Sequence, residues 1–370
     1  LPLYFGEIHI HTALSDGQGS PSDNLRHARD VAQLDFAALA DHALALEERD
    51  WETTKEALED YYRPGRFATL LGFEWTHPSG GEVWGPIVRE GKDPAEVGGE
   101  RFGHRNVYYR GMEGKYYPWD QPKSDRPEKL WERLKEQKLP ALLIPHHPAS
   151  YVFPVDWEVH NPELERVVEI YSIWGSSEIP ESKGNTRPIV RGGGETDEES
   201  GSHVQAALDR GHRLGIIAGS DGHDGHGGKT RHHRHNLTGH DGPFYPSGLT
   251  CVYAEELTRE AIWDGLWDRR CYGTTGAKIK LDFQAEGQEM GSGVELPPGG
   301  ELQVKGEVQG TADVQKMELM GSRGSVAETY GRSPEETLQR SVKMAEPGYL
   351  YLRVRQTDGE IAWSSPIWVE

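Results

Sequence analysis

Only two of the 370 residues are cysteine, Cys251 and Cys271. That is too few for a zinc site built on thiolates, and buried free thiols are expected rather than a disulfide framework. Long hydrophobic runs are missing as well. No stretch approaches the ~20 apolar residues of a membrane-crossing helix, so no membrane partner is expected. Positive charge is in short supply, with 40 Lys and Arg against 60 Asp and Glu and a net charge of -20. Duplex nucleic acid would be repelled unless a local basic groove existed. A small anion held through metal ions remains compatible with that balance, because bound cations dominate their local field. Hydrophobic residues make up 35% of the chain, so the polar surface is large, and 11 Trp and 15 Tyr supply much of the core. No secretory signal is visible. A cytoplasmic location is expected, with a secreted or periplasmic one as the alternative, since the chain starts at Leu1 and its N-terminus looks trimmed.

What the sequence has in excess is histidine, with 17 residues, many beside Asp and Gly. Ligands cluster in that way; solvated surface histidines scatter.

Apolar runs of strand length alternate with helical patterns up to about Gly276. Strands are expected at "LYFGEIHIHT", "LDFAALADH", "FATLLGFEW", "PALLIPHHP", "RVVEIYSIW" and "RLGIIAGSDGH". Helices are expected at "SPSDNLRHARDVAQ" with Ser20 as N-cap, "ALEERDWETTKEALEDYY", "RPEKLWERLKEQ", "HVQAALDRG" and "LTREAIWDGLWDRR" with Thr258 as cap. The strands read as continuous apolar runs, the pattern of an α/β fold with a mostly parallel sheet or barrel. After Lys278 the texture changes to period-two alternation broken by Gly and Pro. Two domains are therefore expected: 1–277, and a small antiparallel β-sandwich-like domain at 278–370. Two long Gly-rich segments, beginning at Thr76 and Gly175, read as loops that are either functional or disordered.

The chemistry-bearing residues fall where apolar runs stop. His9 and His11, spaced i and i+2 in an expected strand, share a face. Asp16 follows in the next loop. His42 closes "ALADH", Glu74 closes "LLGFEW", His146 and His147 close "LLIPHHP", and Asp221 and His223 close "IIAGSDGH". The carboxyl ends of parallel barrel strands converge on one face, where active sites are built. An isolated H-x-H is ordinarily a pair of satisfied core histidines, but such histidines have no reason to prefer strand ends. Mixed imidazole and carboxylate donors suit Zn, Mn or Fe.

In order, "HIHTALSDG", "ADH", "GFEW", "IPHHP" and "GSDGH" resemble the motifs of the PHP (polymerase and histidinol phosphatase) superfamily of metal-dependent phosphoesterases, over about residues 4–277. The stretch "GLTCVYAEELTREAIWDGLWDRRCYGTTG" and the β-rich tail are similar to a large, little-characterised bacterial branch of it. The resemblance implies a distorted (β/α)7 barrel with a trinuclear site of two or three divalent ions, Zn, Mn or Fe. It implies one ion on His9, His11, Glu74 and Asp221. A second would sit on Glu74 with His104 and one of His146 or His147, the family's His-Pro pair favouring His147. A third would take Asp16, His42 and His223. A metal-bound hydroxide held by Glu74, His11 and His147 would be the nucleophile, and no Ser or Cys nucleophile is needed.

Several residues carry weaker signals. Arg105, His146, Lys229 and Arg231 are candidate contacts to an anionic substrate; for the arginines and the lysine a solvated position is the ordinary alternative. Asp41 is expected either to orient a histidine or to cap a helix. Glu169 is expected either to support a ligand or to be a buried structural acid. Tyr171 and Trp174 are expected in the core, with a substrate pocket as the alternative. The function expected is hydrolysis of a small phosphomonoester or phosphodiester. The alternatives are a metal-binding barrel whose β tail recognises a carbohydrate or protein, and a hydrolase of another ester such as a sulfate ester. The complete ligand set favours an enzyme.

Overall fold

The chain up to Thr274 forms β1 (Leu3–Glu7), α1 (Pro21–Arg26), β2 (Phe36–Ala38), α2 (Glu48–Tyr61), β3 (Ala68–Thr76), β4 (His104–Tyr109), α3 (Pro127–Gln137), β5 (Ala141–His146), β6 (Val167–Ser172), β7 (Gly175–Ser176), α4 (Val204–Asp209), β8 (Gly215–Ala218), β9 (Leu249–Tyr253), α5 (Arg259–Trp267) and β10 (Cys271–Thr274). The computed structural model describes residues 1–77, 102–190, 196–230 and 245–370. Local chemistry sets the helix starts. The Ser20 hydroxyl accepts from the Asp23 amide while the Asp23 carboxylate accepts from the Ser20 amide, a reciprocal cap that contributes about 1 kcal/mol. Pro127 opens α3, and Lys138 closes it in the left-handed conformation. Leu130 and Leu134, one turn apart, bury the inner face of α3. Among the described residues no helix is long and apolar enough to cross a membrane.

The strands build an α/β fold with large sheets. One sheet runs β5-β4-β3-β2-β1-β9-β10 and continues beyond it; β6 pairs with β7 and β8 in a separate three-stranded sheet. The expectation of a mostly parallel sheet is corrected here. Pairs β1–β2, β2–β3 and β6–β8 are parallel, whereas β3–β4, β4–β5, β1–β9 and β9–β10 are antiparallel. A strand buried on both faces reads as a continuous apolar run whichever way it points, so composition could not reveal the reversal of β4. Among the described residues the hydrogen-bonded ladders do not close into a barrel.

The remaining strands are β11 (Lys280–Ala285), β12 (Gln288–Glu289), β13 (Gly293–Val294), β14 (Glu301–Gln309), β15 (Val314–Gly321), β16 (Gly324–Thr329), β17 (Glu335–Lys343), β18 (Gly348–Gln356), β19 (Ile361–Ser364) and β20 (Ile367–Val369). β12-β11-β14-β17 form a four-stranded antiparallel sheet, and β14 alternates exposed and buried residues as its sequence does. β19 pairs with β10, Gly273 opposite Trp363, so the sheet carrying β1 extends into the last strands of the chain. Buried polar bonds tie the two regions together. The Glu178 carboxylate accepts from the Tyr351 hydroxyl at 2.6 Å, the Arg353 guanidinium at 2.9 Å and the Trp363 indole at 2.9 Å.

Candidate metal centre

The regular ladder of β1 stops at Glu7, because its carboxylate accepts the backbone N–H of His9 at 2.7 Å. His9 and His11 therefore lie in an extended segment just past the strand, not within it as expected. A parallel bridge pairs Ile10 with Gly222, which joins this segment to the exit of β8. The His11 amide donates to the Gly222 carbonyl at 3.0 Å. Asp221 and His223 are thereby brought beside the two histidines. Ile8 and Ile10 pack into different parts of the core.

The antiparallel turn of β4 supplies the next group. Its first residue, His104, stands opposite Thr76 at the end of β3 and opposite His146 at the end of β5. A histidine at the start of β4 thus meets side chains from the ends of its two neighbours. His42, four residues past the end of β2, forms an isolated parallel bridge with Glu74. Asp16 comes from the loop after His11. Asp41 fastens that loop, accepting from the Thr12 amide at 2.7 Å, the Thr12 hydroxyl at 2.9 Å and the Ser15 hydroxyl at 2.6 Å.

Three buried groups of donors result: His9, His11, Glu74 and Asp221; His104, His146 and His147; and His11, Asp16, His42 and His223. Glu74 touches all three, reaching the last through His42 Nδ1 at 3.4 Å from its Oε1. Its Oε2 lies 3.4 Å from His9 Nε2 and 3.2 Å from His11 Nε2, while its Oε1 lies 3.0 Å from His104 Nδ1 and 3.4 Å from His146 Nε2. Asp221 Oδ1 is 3.3 Å from His9 Nε2 and 3.1 Å from His11 Nε2. Asp16 Oδ1 is 3.4 Å from His42 Nε2 and 3.2 Å from His223 Nε2. The His146 and His147 rings stand edge to face at 4.4 Å, so both belong to one group.

Hydrogen bonds turn particular nitrogens inward. His9 Nδ1 lies 3.0 Å from Glu169 Oε2, which presents Nε2 to Glu74 and Asp221. The Thr76 hydroxyl donates its single proton to Glu74 at 2.8 Å and so accepts from His42 Nδ1, which presents His42 Nε2 to Asp16. His223 Nδ1 donates to the Asp221 carbonyl at 2.9 Å, again presenting Nε2. Ligand histidines are held in this way, their outer nitrogen bonded to a carboxylate, hydroxyl or carbonyl.

Charge divides the site. Burial pushes the His104, His146 and His147 imidazoles down, His146 to about 4, so these three are neutral at pH 7. Burial also acts on His9 and His42, but Glu169 and Asp221 for the first, and Glu74 and Asp16 for the second, outweigh it and hold both well above the ordinary value. Burial alone would raise the carboxyls of Asp16, Glu74 and Asp221; the neighbouring histidines hold all three well below their usual range.

These residues fit divalent metal ions. Donors sharing one ion at ~2.0–2.2 Å stand about 3–3.5 Å apart, which is the spacing found. Among the described residues, His11 Nδ1 and Nε2, His104 Nε2, His146 Nδ1 and Nε2, and His147 Nδ1 are buried without a hydrogen-bond partner. Buried polar atoms are rarely left so, and several in one place mark the absence of something that binds them. Two of the residues also hold costly backbone conformations, φ 32° at His147 and φ 55° at Asp221.

Other expected contacts lie elsewhere. Arg105 is not directed at the site. It alternates with His104 along β4, and its guanidinium is buried against Glu165 Oε1 at 2.6 Å and the carbonyls of Phe102 and Val159. Lys229 pairs with Asp224 at 3.0 Å on the segment leaving His223. Arg231 lies outside the described residues. Tyr171 is core, its hydroxyl donating to the Pro246 carbonyl at 2.7 Å. Trp174 is partly buried and donates its indole N–H to Asp221 Oδ2 at 2.7 Å. Thr76 and Phe153, whose ring lies 4.4 Å from that of His104, were not anticipated. The i, i+2 relation of Thr76 to Glu74 was the available signal for the first; nothing local marked the second.

Fold and site together define an α/β protein with buried histidine and carboxylate groups able to hold metal ions. The chain belongs to the family described as "Protein of unknown function (DUF3604)", whose model matches residues 24–182 and 214–293. It is similar to an uncharacterized protein of Chlamydia muridarum, 29% identical over 389 residues, and to one of Chlamydia trachomatis serovar D, 29% identical over 390 residues. Both matches cover 100% of this chain, which spans 57% of the length of these curated relatives. Among solved structures, a two-domain protein from Bacteroides vulgatus described as containing a predicted PHP-like metal-dependent phosphoesterase aligns with a TM-score of 0.46 and 14% identity, over 99% of this chain and 94% of that one. PsfC from Pseudomonas syringae aligns with a TM-score of 0.40 and 14% identity, over 74% of this chain and 91% of that one.

Proposed function

We propose that the chain is a metal-dependent hydrolase of small phosphate esters, working at a site of two or three divalent ions, Zn, Mn or Fe. One observation carries the reading: Glu74 turns one oxygen to His9 and His11 and the other to His104 and His146, the placing of a carboxylate shared between two ions. Bound ions would supply Lewis-acid chemistry, lowering the pKa of water and polarising an ester oxygen. His9, His11, Glu74 and Asp221 would hold one ion, and Glu74, His104, His146 and His147 a second. Asp16, His42 and His223 would hold a third.

The chain's own residues do the rest. Glu169 and Thr76 fix which nitrogens of His9 and His42 face inward. Three buried carboxylates, Asp16, Glu74 and Asp221, would offset part of the charge of two or three divalent ions and leave the loaded site net positive toward an anionic ester. The two thiols take no part: both are buried in β9 and β10, and burial pushes Cys271 up to about 12. The same proposal includes a strongly distorted seven-strand barrel. Its support is the packing of β5 against β6 and the Ile10–Gly222 bridge from the β1 exit to the β8 exit, which span the two gaps in the ladders.

The test is a colorimetric screen of phosphomonoesters and phosphodiesters with added Mn, Zn or Fe, run on wild type and on His11→Ala and Asp221→Ala. Turnover of an ester that both variants lose by at least about 100-fold is expected. Metal uptake with no turnover of any phosphate ester would overturn the phosphoesterase reading.

A further inference from the structure

We infer that Trp174 is a positioning residue of the metal centre: its indole N–H holds Asp221 Oδ2 and leaves Oδ1 to face His9 and His11. The inference rests on the metal reading above. The indole Nε1 donates to Asp221 Oδ2 at 2.7 Å, within the range of a charge-assisted hydrogen bond. Oδ1 is left 3.3 Å from His9 Nε2 and 3.1 Å from His11 Nε2. Oδ2 is also 3.9 Å from His147 Nε2, so a freed carboxylate has a second histidine group within reach.

Asp221 needs such a hold. Its backbone sits at φ 55°, in the left-handed region that L side chains rarely adopt. A side chain carried on a strained exit loop is not fixed by its own strand. Trp174, in contrast, is anchored on both sides. Its amide donates to the Ser172 hydroxyl at 3.3 Å, and its carbonyl accepts from the Val190 amide at 3.1 Å. The next residue, Gly175, has φ 127°, and a Cβ there would stand 2.3 Å from the Pro188 carbonyl oxygen. These contacts hold the backbone of the reversal between β6 and β7, from which the indole reaches Asp221. The indole N–H is a donor with no lone pair, so it holds a carboxylate and cannot itself ligate a metal ion. The bond thus selects single-oxygen ligation by Asp221 and keeps it out of the His104, His146 and His147 group.

The experiment uses Zn2+ alone, competed against a chromophoric chelator, and the visible spectrum of the Co2+-loaded protein. It compares wild type, Trp174→Phe, and protein carrying β-(3-benzothienyl)alanine at position 174, which keeps the bicyclic shape and lacks the N–H. Expected is a 10–100-fold loss of affinity for one ion in both altered proteins, with the other ions unaffected, a changed Co2+ spectrum and an unchanged metal-free Tm. The benzothienyl protein decides the matter if the phenylalanine variant folds poorly. Affinity and spectrum equal to wild type would overturn the role of Trp174 while leaving the metal centre standing. A wild type that takes up no Zn2+ or Co2+ would overturn the metal centre and this inference with it.

Discussion

Glu169 and His9 meet below the site, with Oε2 3.0 Å from Nδ1 and both side chains buried. The carboxylate fixes the ring's orientation and makes its inner nitrogen a better donor. Glu169→Ala should weaken metal binding by ~10–100-fold, and Glu169→Gln, which retains an acceptor without the charge, by less. Chelator competition on the purified variants measures both. Equal affinity in all three proteins would remove Glu169 from the site.

Gly219 makes that pair possible. A Cβ at this position would lie 2.4 Å from Glu169 Oε2 and 2.9 Å from the Cβ of His9. Gly219→Ala should therefore displace both, lower stability by about 1–3 kcal/mol and weaken metal binding together. Urea unfolding and metal titration of the same sample check the two effects.

Metal binding should release protons. In the metal-free chain His9 and His42 are held well above their ordinary pKa by Glu169, Asp221, Glu74 and Asp16, so both are protonated at pH 7. A cation takes the place of those protons, and affinity rises as pH rises toward their raised pKa values. His104, His146 and His147 are pushed the other way and contribute no protons at pH 7. Calorimetry of Zn2+ binding in buffers of different ionisation enthalpy reads the release directly. Heats independent of the buffer would contradict it.

Much of the site was legible because its donors stand where apolar runs end. A histidine or carboxylate there has left the core layer of the sheet and reached its edge, and "HIHTALSDG", "ADH", "GFEW" and "GSDGH" all have that form. The direction of β4 was not legible, since burial on both faces hides strand polarity, yet that reversal is what brings His104 to Thr76 and His146. Arg105 was misread through nearness in sequence to His104; neighbours along a strand point to opposite faces. Trp174 acts through a partner 47 residues away, which no local pattern encodes; Thr76 is marked locally only by its spacing to Glu74, while the histidine it orients is 34 residues away. In the last part of the chain β11 and β14 alternate as read, but β18, β19 and β20 are buried on nearly every residue and β13 pairs with β20 in parallel; nothing in them announced that β19 would extend the sheet through β10.

Arg105 and Glu165 should behave as a structural pair. Both are buried, and without Arg105 the Glu165 carboxylate keeps only His160 and the Asn161 amide at its other oxygen. Arg105→Ala should cost roughly 3–5 kcal/mol of stability, whereas loss of an anion clamp would raise KM with stability unchanged. Denaturant unfolding separates the two.

Acid stability should depend on Glu318. Burial alone would raise its carboxyl, but Arg353 at 2.9 Å, with Lys316 and Arg355, pulls it down from 4.5 to about 2. A depressed carboxyl stabilises the fold fully above its unfolded value and loses that contribution as pH falls through the folded one. The Tm gap between wild type and Glu318→Gln should be constant above about pH 5 and shrink toward pH 2. A gap that does not change with pH would contradict the pairing.

The most direct test of the central claim is metal stoichiometry by elemental analysis, after equilibration with Zn2+ or Mn2+ and removal of free ions, for wild type and Glu74→Ala. The shared position of Glu74 predicts two or three ions per chain in wild type and the loss of more than one in the variant. Fewer than one ion in wild type, or the same count in both, would contradict it.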